Sequence, residues 1–138
     1  MKLFLDANIL VSVLNKEYPL FTYSARVLSL ADNPKYQLYT SPLCLAIAVY
    51  FAEKKHSKNS TRAKIKLLTE KLRFTTINET MVFQVQKNKK IHDFEDGLQY
   101  YSAIDSGCKY IITEDSDDFY FSEIEVLSSE SFLGKYVF

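Results

Sequence analysis

Four carboxylates crowd into five consecutive positions of this chain. The segment ITEDSDDF, residues 112–119, carries Glu114, Asp115, Asp117 and Asp118. Carboxylates that share a site repel one another, and either protonation or a bound cation relieves the repulsion. At neutral pH we expect a cation, and the hard ions Mg²⁺ and Mn²⁺ prefer oxygen ligands. Two or three carboxylates holding such an ion can support hydrolysis of a phosphodiester bond.

Only some of these acids are expected to reach a common site. Asp115 is the nearest usable acid after Thr113, which ends an apolar run, and Asp118 lies one helical turn further on. Glu114 and Asp117 are expected to be solvated.

A further acid directly follows another apolar run. Asp6 comes after residues 3–5, where packing gives no reason for a carboxylate, so we expect it to bind the ion. The alternative is that Asp6 caps the helix that follows. Asn8 either orients the Asp6 carboxylate or caps that helix itself.

A third group of acids opens a later helical pattern. Asp93 and Asp96 are three residues apart and share a helix face, whereas Glu95 is expected to point well away from them. An acid at the N-cap and another in the first turn are also favoured by the helix dipole, so a structural role for both residues stays open.

Alternating elements must position these acids. Short apolar runs predict strands at 2–5, 36–41, 73–78, 109–113 and 125–128, with helical patterns between and after them. This alternation predicts an α/β domain spanning residues 1–138, with a mostly parallel sheet of four to five strands and helices on both faces. Sites in such folds lie outside the carboxyl ends of the strands. The acids after the first and fourth strands should therefore meet at one edge.

Local signals predict several helix ends. Pro42 suits a first helical position, Asn78 and Asp93 suit caps, and Gly107 suits a C-terminal glycine. Residues 56–60 predict a loop, with Ser60 or Thr61 capping the next helix. Residues Phe94, Leu98 and Tyr101 predict the buried stripe of the helix that begins after Asp93.

Composition narrows the class of protein. The chain has 138 residues, of which 47% are hydrophobic, enough for one compact domain with a sizeable core. No secretory signal and no bilayer-spanning run is visible, so we expect a cytoplasmic protein without a membrane partner. Cys44 and Cys108 have no paired spacing, which indicates neither a disulfide framework nor a zinc site, and Cys44 is expected to be buried.

Charge is segregated along the chain although the formal net charge is +0. Residues 53–90 hold eleven of the seventeen Lys and Arg, and residues 93–130 hold eleven of the seventeen Asp and Glu. A basic rim beside an acidic pocket would suit an enzyme that acts on a polyanion such as RNA, and two solvated helix faces are the alternative. The candidate RNA-binding residues are Lys54, Lys55, Arg62, Lys64 and Lys66.

Three segments together resemble a PIN domain: FLDANIL near the start, DFEDGLQYYSAIDSGCKYIITEDSDDF later on, and EVLSSESFL after it. This resemblance implies a three-layer α/β/α sandwich, acids that bind Mg²⁺ or Mn²⁺, and endonucleolytic cleavage of RNA, as in VapC-like toxins. It also implies a possible antitoxin partner and a homodimer. The family's acids map onto Asp6, Asp96, Asp115 and Asp118, with Asp93 beside Asp96 as a further metal ligand. Asn8 and Thr113 match supporting polar residues.

One departure from the family pattern bears on activity. Many active members carry a Glu after the second strand at a position close to Ile47, but this segment has no acid before Glu53, which would face another way. The leading hypothesis is a metal-dependent ribonuclease in which Asp6, Asp96 and Asp115 hold the ion and Asp118 assists. The alternative is a catalytically weak module that binds RNA or protein. A phosphatase or a DNA-directed nuclease also stays open, because the ligands report the metal and not the substrate.

Overall fold

A computed structural model describes residues 1–138. The five strands are Lys2–Leu5 (β1), Gln37–Thr40 (β2), Arg73–Phe74 (β3), Tyr110–Ile112 (β4) and Glu125–Leu127 (β5). The seven α-helices are Ala7–Leu14 (α1), Leu20–Ser29 (α2), Pro42–Lys55 (α3), Lys58–Thr69 (α4), Glu79–Lys87 (α5), Phe94–Asp105 (α6) and Ser129–Phe132 (α7). Short 3₁₀ turns at Leu30–Asp32 and Ser116–Phe119 and a π-helical turn at Leu133–Val137 complete the chain.

The sheet is parallel throughout, with strand order β3-β2-β1-β4-β5. Successive strands β1, β2 and β3 run outward on one side, and β4 and β5 continue on the other side of β1. The strand order therefore reverses between β1 and β4, which is where parallel sheets open a crevice for a ligand. Asp6 follows β1 and Thr113 follows β4, so the two candidate acid segments flank this crevice. The predicted fold class is confirmed.

Helices cover both faces of the sheet. Helix α1 packs on α2, α3 and α4, while α5 and α6 pack on each other. Because both faces are covered, successive β1 residues Leu3, Phe4 and Leu5 are all fully buried. Cys44 and Cys108 are buried free thiols. No helix combines the length and apolar character that crossing a bilayer requires.

Most helix ends follow the sequence signals. Pro42 occupies the first turn of α3, Asn78 caps α5, Asp93 caps α6, and Gly107 has the positive φ of 81° that a C-terminal glycine adopts. The loop predicted at 56–60 is limited to residues 56 and 57. Ser57 accepts a hydrogen bond from the Ser60 N–H, so α4 begins at Lys58 and neither Ser60 nor Thr61 is its cap.

Two further predictions differ from the structure. The third strand is limited to Arg73–Phe74 instead of running over 73–78. The apolar stripe predicted for α6 is only partly buried, because Phe94 is 47% exposed while Tyr101 packs against the core. The fully buried side of α6 carries Gly97, Tyr100 and Ala103 instead. Gly97 gives no apolar signal in the sequence, yet it lets α6 approach the Val85 side chain closely.

Candidate active site

A cavity of about 480 Å³ opens at the edge where β1 and β4 end. Seven carboxylate side chains line it: Asp6, Glu17, Asp93, Glu95, Asp96, Asp115 and Asp118. The acids expected from the ends of β1 and β4 and from the start of α6 therefore lie around one space. The expectation that they converge agrees with this geometry.

Asp6 caps α1 and faces the cavity at the same time. Its N–H donates to the Ile112 carbonyl at 3.0 Å, which ties the end of β1 to β4. Its Oδ1 accepts from the Ala7 N–H and its Oδ2 accepts from the Thr113 hydroxyl, both at 2.8 Å. Burial raises the pKa of the Asp6 carboxyl, and the Asp115 charge adds to the rise while the Thr113 hydrogen bond opposes it. Asp6 therefore caps α1 and also lines the cavity, and its binding of an ion stays a prediction.

Thr113 connects three of the candidate residues through one buried hydroxyl. Its Oγ1 donates to Asp6, accepts from Asn8 Nδ2 at 3.0 Å, and accepts from the Asp115 N–H at 3.1 Å. A hydroxyl has one proton to donate and two lone pairs, so all its capacity is used. The predicted place of Thr113 beside the site agrees with the structure.

Asn8 holds the turn after β4 and does not cap α1. Its Nδ2 also donates to Asp115 Oδ2 at 3.2 Å, and its Oδ1 accepts from the Glu114 N–H at 3.2 Å. It reaches Asp6 only through Thr113. Asn8 therefore orients Asp115 directly and Asp6 indirectly.

The N-cap and the first turn of α6 together place three acids in the wall of the cavity. Asp93 caps the helix by accepting from the Asp96 N–H at 3.0 Å, and it lines the cavity as well. Burial raises the pKa of Asp96 to about 7, and the charges of Asp93, Asp6, Asp118 and Glu95 add to the rise.

Glu95 lines the same cavity, so the prediction that it points away is wrong. The reason is that the cavity meets the end of α6, where successive first-turn side chains spread around the helix axis. Burial, followed by the charges of Asp93 and Asp6, raises the pKa of Glu95.

The acidic run after β4 separates into three environments. Asp115 and Asp118 line the cavity, and the Asp118 N–H donates to the Asp115 carbonyl at 3.0 Å in the 3₁₀ turn. Asp117 is exposed, as expected. Glu114 is not solvated as expected, because its Oε1 accepts from both the N–H and the hydroxyl of Ser129 at the start of α7. This contact between segments 15 residues apart has no local sequence signal.

The chain is similar to known proteins in both sequence and fold. The sequence profile of the PIN domain matches residues 2–117. The chain belongs to the PIN domain family. Ribonuclease VapC1 of Aquifex aeolicus (strain VF5) is 30% identical over 139 residues, which cover 98% of this chain and 95% of that protein.

Two solved structures share the fold. VapBC2 from Rickettsia felis, bound to a DNA fragment from its promoter, matches with a TM-score of 0.70 at 20% identity and covers 93% of this chain and 98% of that one. VapBC-1 from nontypeable Haemophilus influenzae matches with a TM-score of 0.69 at 19% identity and covers 94% and 99%. At these identities the likeness concerns the fold alone.

The PIN domain cavity of this chain is also lined by apolar residues. Val11, Leu20, Ile47 and Phe51 are among them. Ile47 does face the cavity, at the position where the family resemblance led us to look for an acid, and Glu53 does not line it. Glu17, in the loop between α1 and α2, does line the cavity. No motif singles out Glu17 in the sequence, because it follows no strand and starts no helix, and only the folded chain places it near the other acids.

The five candidate RNA-binding residues lie outside the cavity wall. Lys54 lies beside a residue of the cavity wall, because its Nζ is 5.6 Å from the ring centre of Phe51. Lys64 Nζ is 3.4 Å from the Leu14 carbonyl and 3.2 Å from His56 Nε2. Lys55, Arg62 and Lys66 are exposed.

The acids of this PIN domain suit a hard divalent cation, although no group of three or more acidic, histidine or cysteine side chains is arranged to hold one. Mg²⁺ commonly uses one or two protein carboxylates and keeps several waters. Burial is the main cause of the raised pKa values of Asp6 and Asp96, and the charges of neighbouring carboxylates raise both further. A cation would offset both effects. The residues present therefore fit an ion held by few direct ligands.

Proposed function

We propose that this PIN domain is a Mg²⁺- or Mn²⁺-dependent endoribonuclease, and that it is the toxin of a toxin-antitoxin pair. The observation that carries the proposal is the meeting of Asp6, Asp96, Asp115 and Asp118 around one cavity at the switch point of the sheet. The similarity to a ribonuclease over 98% of the chain supports RNA as the substrate.

Each of these acids has a proposed role that follows from its position. Asp6, Asp96 and Asp115 would hold the ion, and Asp93 borders the same space. When bound, the ion supplies charge neutralisation at the phosphate and a lowered pKa for water. Asp118 assists from the 3₁₀ turn. Asp96 can accept a proton near neutral pH in the metal-free protein, because its pKa is about 7.

The test is cleavage of a panel of labelled RNAs, with single-stranded DNA alongside, in Mn²⁺ and in EDTA. Asp6→Asn should abolish cleavage, since Asn keeps the helix cap but removes the charge. Asp117→Asn is the matched control, because it makes the same change at an exposed acid that does not line the cavity. Metal-dependent cleavage that survives Asp6→Asn would refute the assignment of Asp6 to the active site. Preferential cleavage of the single-stranded DNA would show that DNA, and not RNA, is the substrate.

A second candidate function is favoured by Ile47, which puts an apolar side chain in the cavity wall at the expected position of an acid. The protein would then be a weakly catalytic module that binds RNA through α3 and α4. Salt-sensitive RNA binding without turnover, weakened by Lys64→Ala and Lys66→Ala but not by Asp6→Asn, would support it. Under that function Ile47→Glu should create metal-dependent cleavage; under the first, wild-type protein already cleaves.

The toxin role implies a partner and a cytoplasmic setting. We expect an antitoxin protein, encoded by a short neighbouring reading frame, that holds the nuclease inactive, and we expect the nuclease itself to form a homodimer. Coexpression with that reading frame should give a stable complex by size exclusion, in which RNA cleavage is suppressed. Free nuclease at the mass of a single chain in sedimentation equilibrium would contradict the homodimer.

A further inference from the structure

Helix α3 carries apolar residues on two sides, and only one side is needed for the core. Cys44, Ala48 and Ala52 are fully buried against the rest of the protein. The second side carries Ile47, Tyr50, Phe51 and Lys54, at the i, i+3, i+4, i+7 spacing that aligns side chains along one helix face. Tyr50 is 57% exposed and Phe51 is 43% exposed. Burial in this chain does not account for two aromatic rings there.

The second side of α3 continues the wall of the acidic cavity. Ile47 and Phe51 both line it, one helical turn apart, and Leu20 of α2 lines it as well. A divalent ion with six waters needs about 180 Å³ at roughly 30 Å³ per water. The cavity holds about 480 Å³, so more than half of it remains for part of a substrate.

A cation completes this face of α3. Lys54 Nζ lies 4.4 Å from the ring centre of Tyr50 and 5.6 Å from that of Phe51. The two rings meet edge to face, with centres 5.3 Å apart. Aromatic rings beside a cation bind single-stranded nucleic acid, because the rings stack on bases and the cation pairs with phosphate.

We propose that Phe51 is the platform of a nucleobase subsite for single-stranded RNA, next to the acids that cleave it. A base of the substrate stacks on the Phe51 ring, Tyr50 closes the side of the subsite, and Lys54 pairs with a neighbouring phosphate. Ile47 forms the apolar floor between this base and the acids. This inference rests on the proposed ribonuclease function, because it gives that substrate its place.

Charge favours RNA over a protein partner at this face. The acids that line the cavity would repel a polyanion on their own, and Lys54 supplies an opposing charge beside the aromatic rings. A partner protein or a second copy of this chain would need the apolar surface but not the stacking geometry. The two kinds of occupant therefore respond differently when the aromatic ring alone is lost.

The experiment measures RNA binding in an Asp6→Asn background, so that the substrate stays intact. The probe is a single-stranded RNA oligonucleotide carrying 2-aminopurine, whose fluorescence falls when the base stacks on an aromatic ring. Phe51→Leu keeps an apolar side chain but removes the ring, whereas Phe51→Tyr keeps the ring. Phe83→Ala is the matched control, because Phe83 is 49% exposed on α5 and does not line the cavity.

We expect Phe51→Leu to weaken RNA binding about tenfold or more, as loss of one base stack does. The quenching of 2-aminopurine should fall with it, while Phe51→Tyr and Phe83→Ala stay near the parent. Equal RNA affinity and equal quenching in Phe51→Leu would overturn the subsite. A change in oligomeric mass for Phe51→Ala without a change in RNA affinity would also overturn it, and would assign this face to a protein interface.

Failure of the subsite and failure of the proposed function can be told apart. If the wild-type protein cleaves RNA and Phe51→Leu cleaves and binds it equally well, only the subsite is wrong. If the wild-type protein cleaves no RNA and the Asp6→Asn variant binds none, the ribonuclease function fails and the subsite fails with it.

Discussion

At the scale of single residues, Thr113 has the most connections in the site. Its hydroxyl satisfies Asp6, Asn8 and the backbone of Asp115 together. Thr113→Val keeps the shape but removes all three hydrogen bonds, one of them to the half-buried carboxylate of Asp6. We expect a loss of unfolding free energy of about 1.5–3 kcal/mol, the range for hydrogen bonds to charged groups. Urea unfolding at pH 7 measures it.

Thr113→Ser is the control, because it retains the hydroxyl. The serine variant should unfold at nearly the same urea concentration as the wild type. Its affinity for Mn²⁺, measured by titration calorimetry, should exceed that of the valine variant. If valine and serine variants unfold at the same urea concentration, the hydroxyl network contributes nothing to stability.

Asp96 makes the stability of the metal-free protein depend on pH. Its pKa is about 7 in the folded protein and 3.8 as its ordinary value, because burial and the charges of Asp93, Asp6, Asp118 and Glu95 disfavour its ionised form. Between these values the folded state binds more protons than the unfolded chain, so stability falls as the pH rises through that window.

Asp96→Asn should flatten this pH dependence, since the amide does not titrate. The measurement is the thermal midpoint in EDTA from pH 4.5 to pH 8, with Asp117→Asn as the control that keeps the wild-type slope. A wild-type slope in the Asp96→Asn protein would show that other groups cause the effect.

At the scale of elements, the close packing of α6 on α5 sets where the acids of α6 stand. A Cβ added at Gly97 would lie 2.7 Å from Val85 Cγ1 and 2.9 Å from Ile91 Cγ2. Gly97→Ala must therefore push α6 away from its neighbours, and overpacking of this kind costs about 1–3 kcal/mol. Because Asp96 precedes Gly97 directly, we expect weaker divalent-ion binding as well as lower stability.

Gly134→Ala provides the comparison, because a Cβ at Gly134 meets nothing within 4 Å. It should be neutral or stabilising by up to about 1 kcal/mol, through the lower entropy of the unfolded chain. Chemical unfolding of both variants decides the point. Equal stability of Gly97→Ala and the wild type would mean that α5 and α6 separate without cost.

The sequence predicted those features of the elements that local chemistry controls. Apolar or alternating patterns marked all five strands, although the third is shorter than predicted. Acids after the first and fourth strands marked Asp6 and Asp115. Caps at Asn78 and Asp93 followed from side chains that bond their own next turn. Features that depend on distant packing were missed. Glu17 lies between α1 and α2, far in sequence from the other acids except Asp6, and it lines the cavity only in the folded chain.

Two errors in the acids have related causes. The sequence predicts a solvated Glu114, but the N–H and hydroxyl of Ser129 donate to its carboxylate, and no local pattern links the two segments. Ideal helical rotation predicts that Glu95 points away from Asp93 and Asp96. The cavity borders the first residues of α6, however, and all three acids line it. The fold class follows from periodicity, whereas the full acid set needs the tertiary arrangement.

At the scale of the whole molecule, charge is balanced in number but not in space. The formal net charge is +0, yet the two ion pairs are Lys71 with Asp32 and Lys135 with Glu125, none of which lines the acidic cavity. No lysine or arginine neutralises the seven carboxylates there by direct contact. The folded protein therefore carries a repulsion that the unfolded chain relieves by spreading the same charges apart.

A divalent cation should consequently stabilise the whole fold, because it binds the native arrangement and not the unfolded chain. At 100 times its dissociation constant, an ion of this kind contributes about 2.7 kcal/mol. For a chain of this size, we expect Mn²⁺ to raise the thermal midpoint by several degrees, as a stabilisation of that order does. NaCl at equal ionic strength should raise it less, since screening does not replace coordination. Asp6→Asn should lose most of the Mn²⁺ effect and Asp117→Asn should keep it. An equal rise in both variants would place the bound ion elsewhere on the surface.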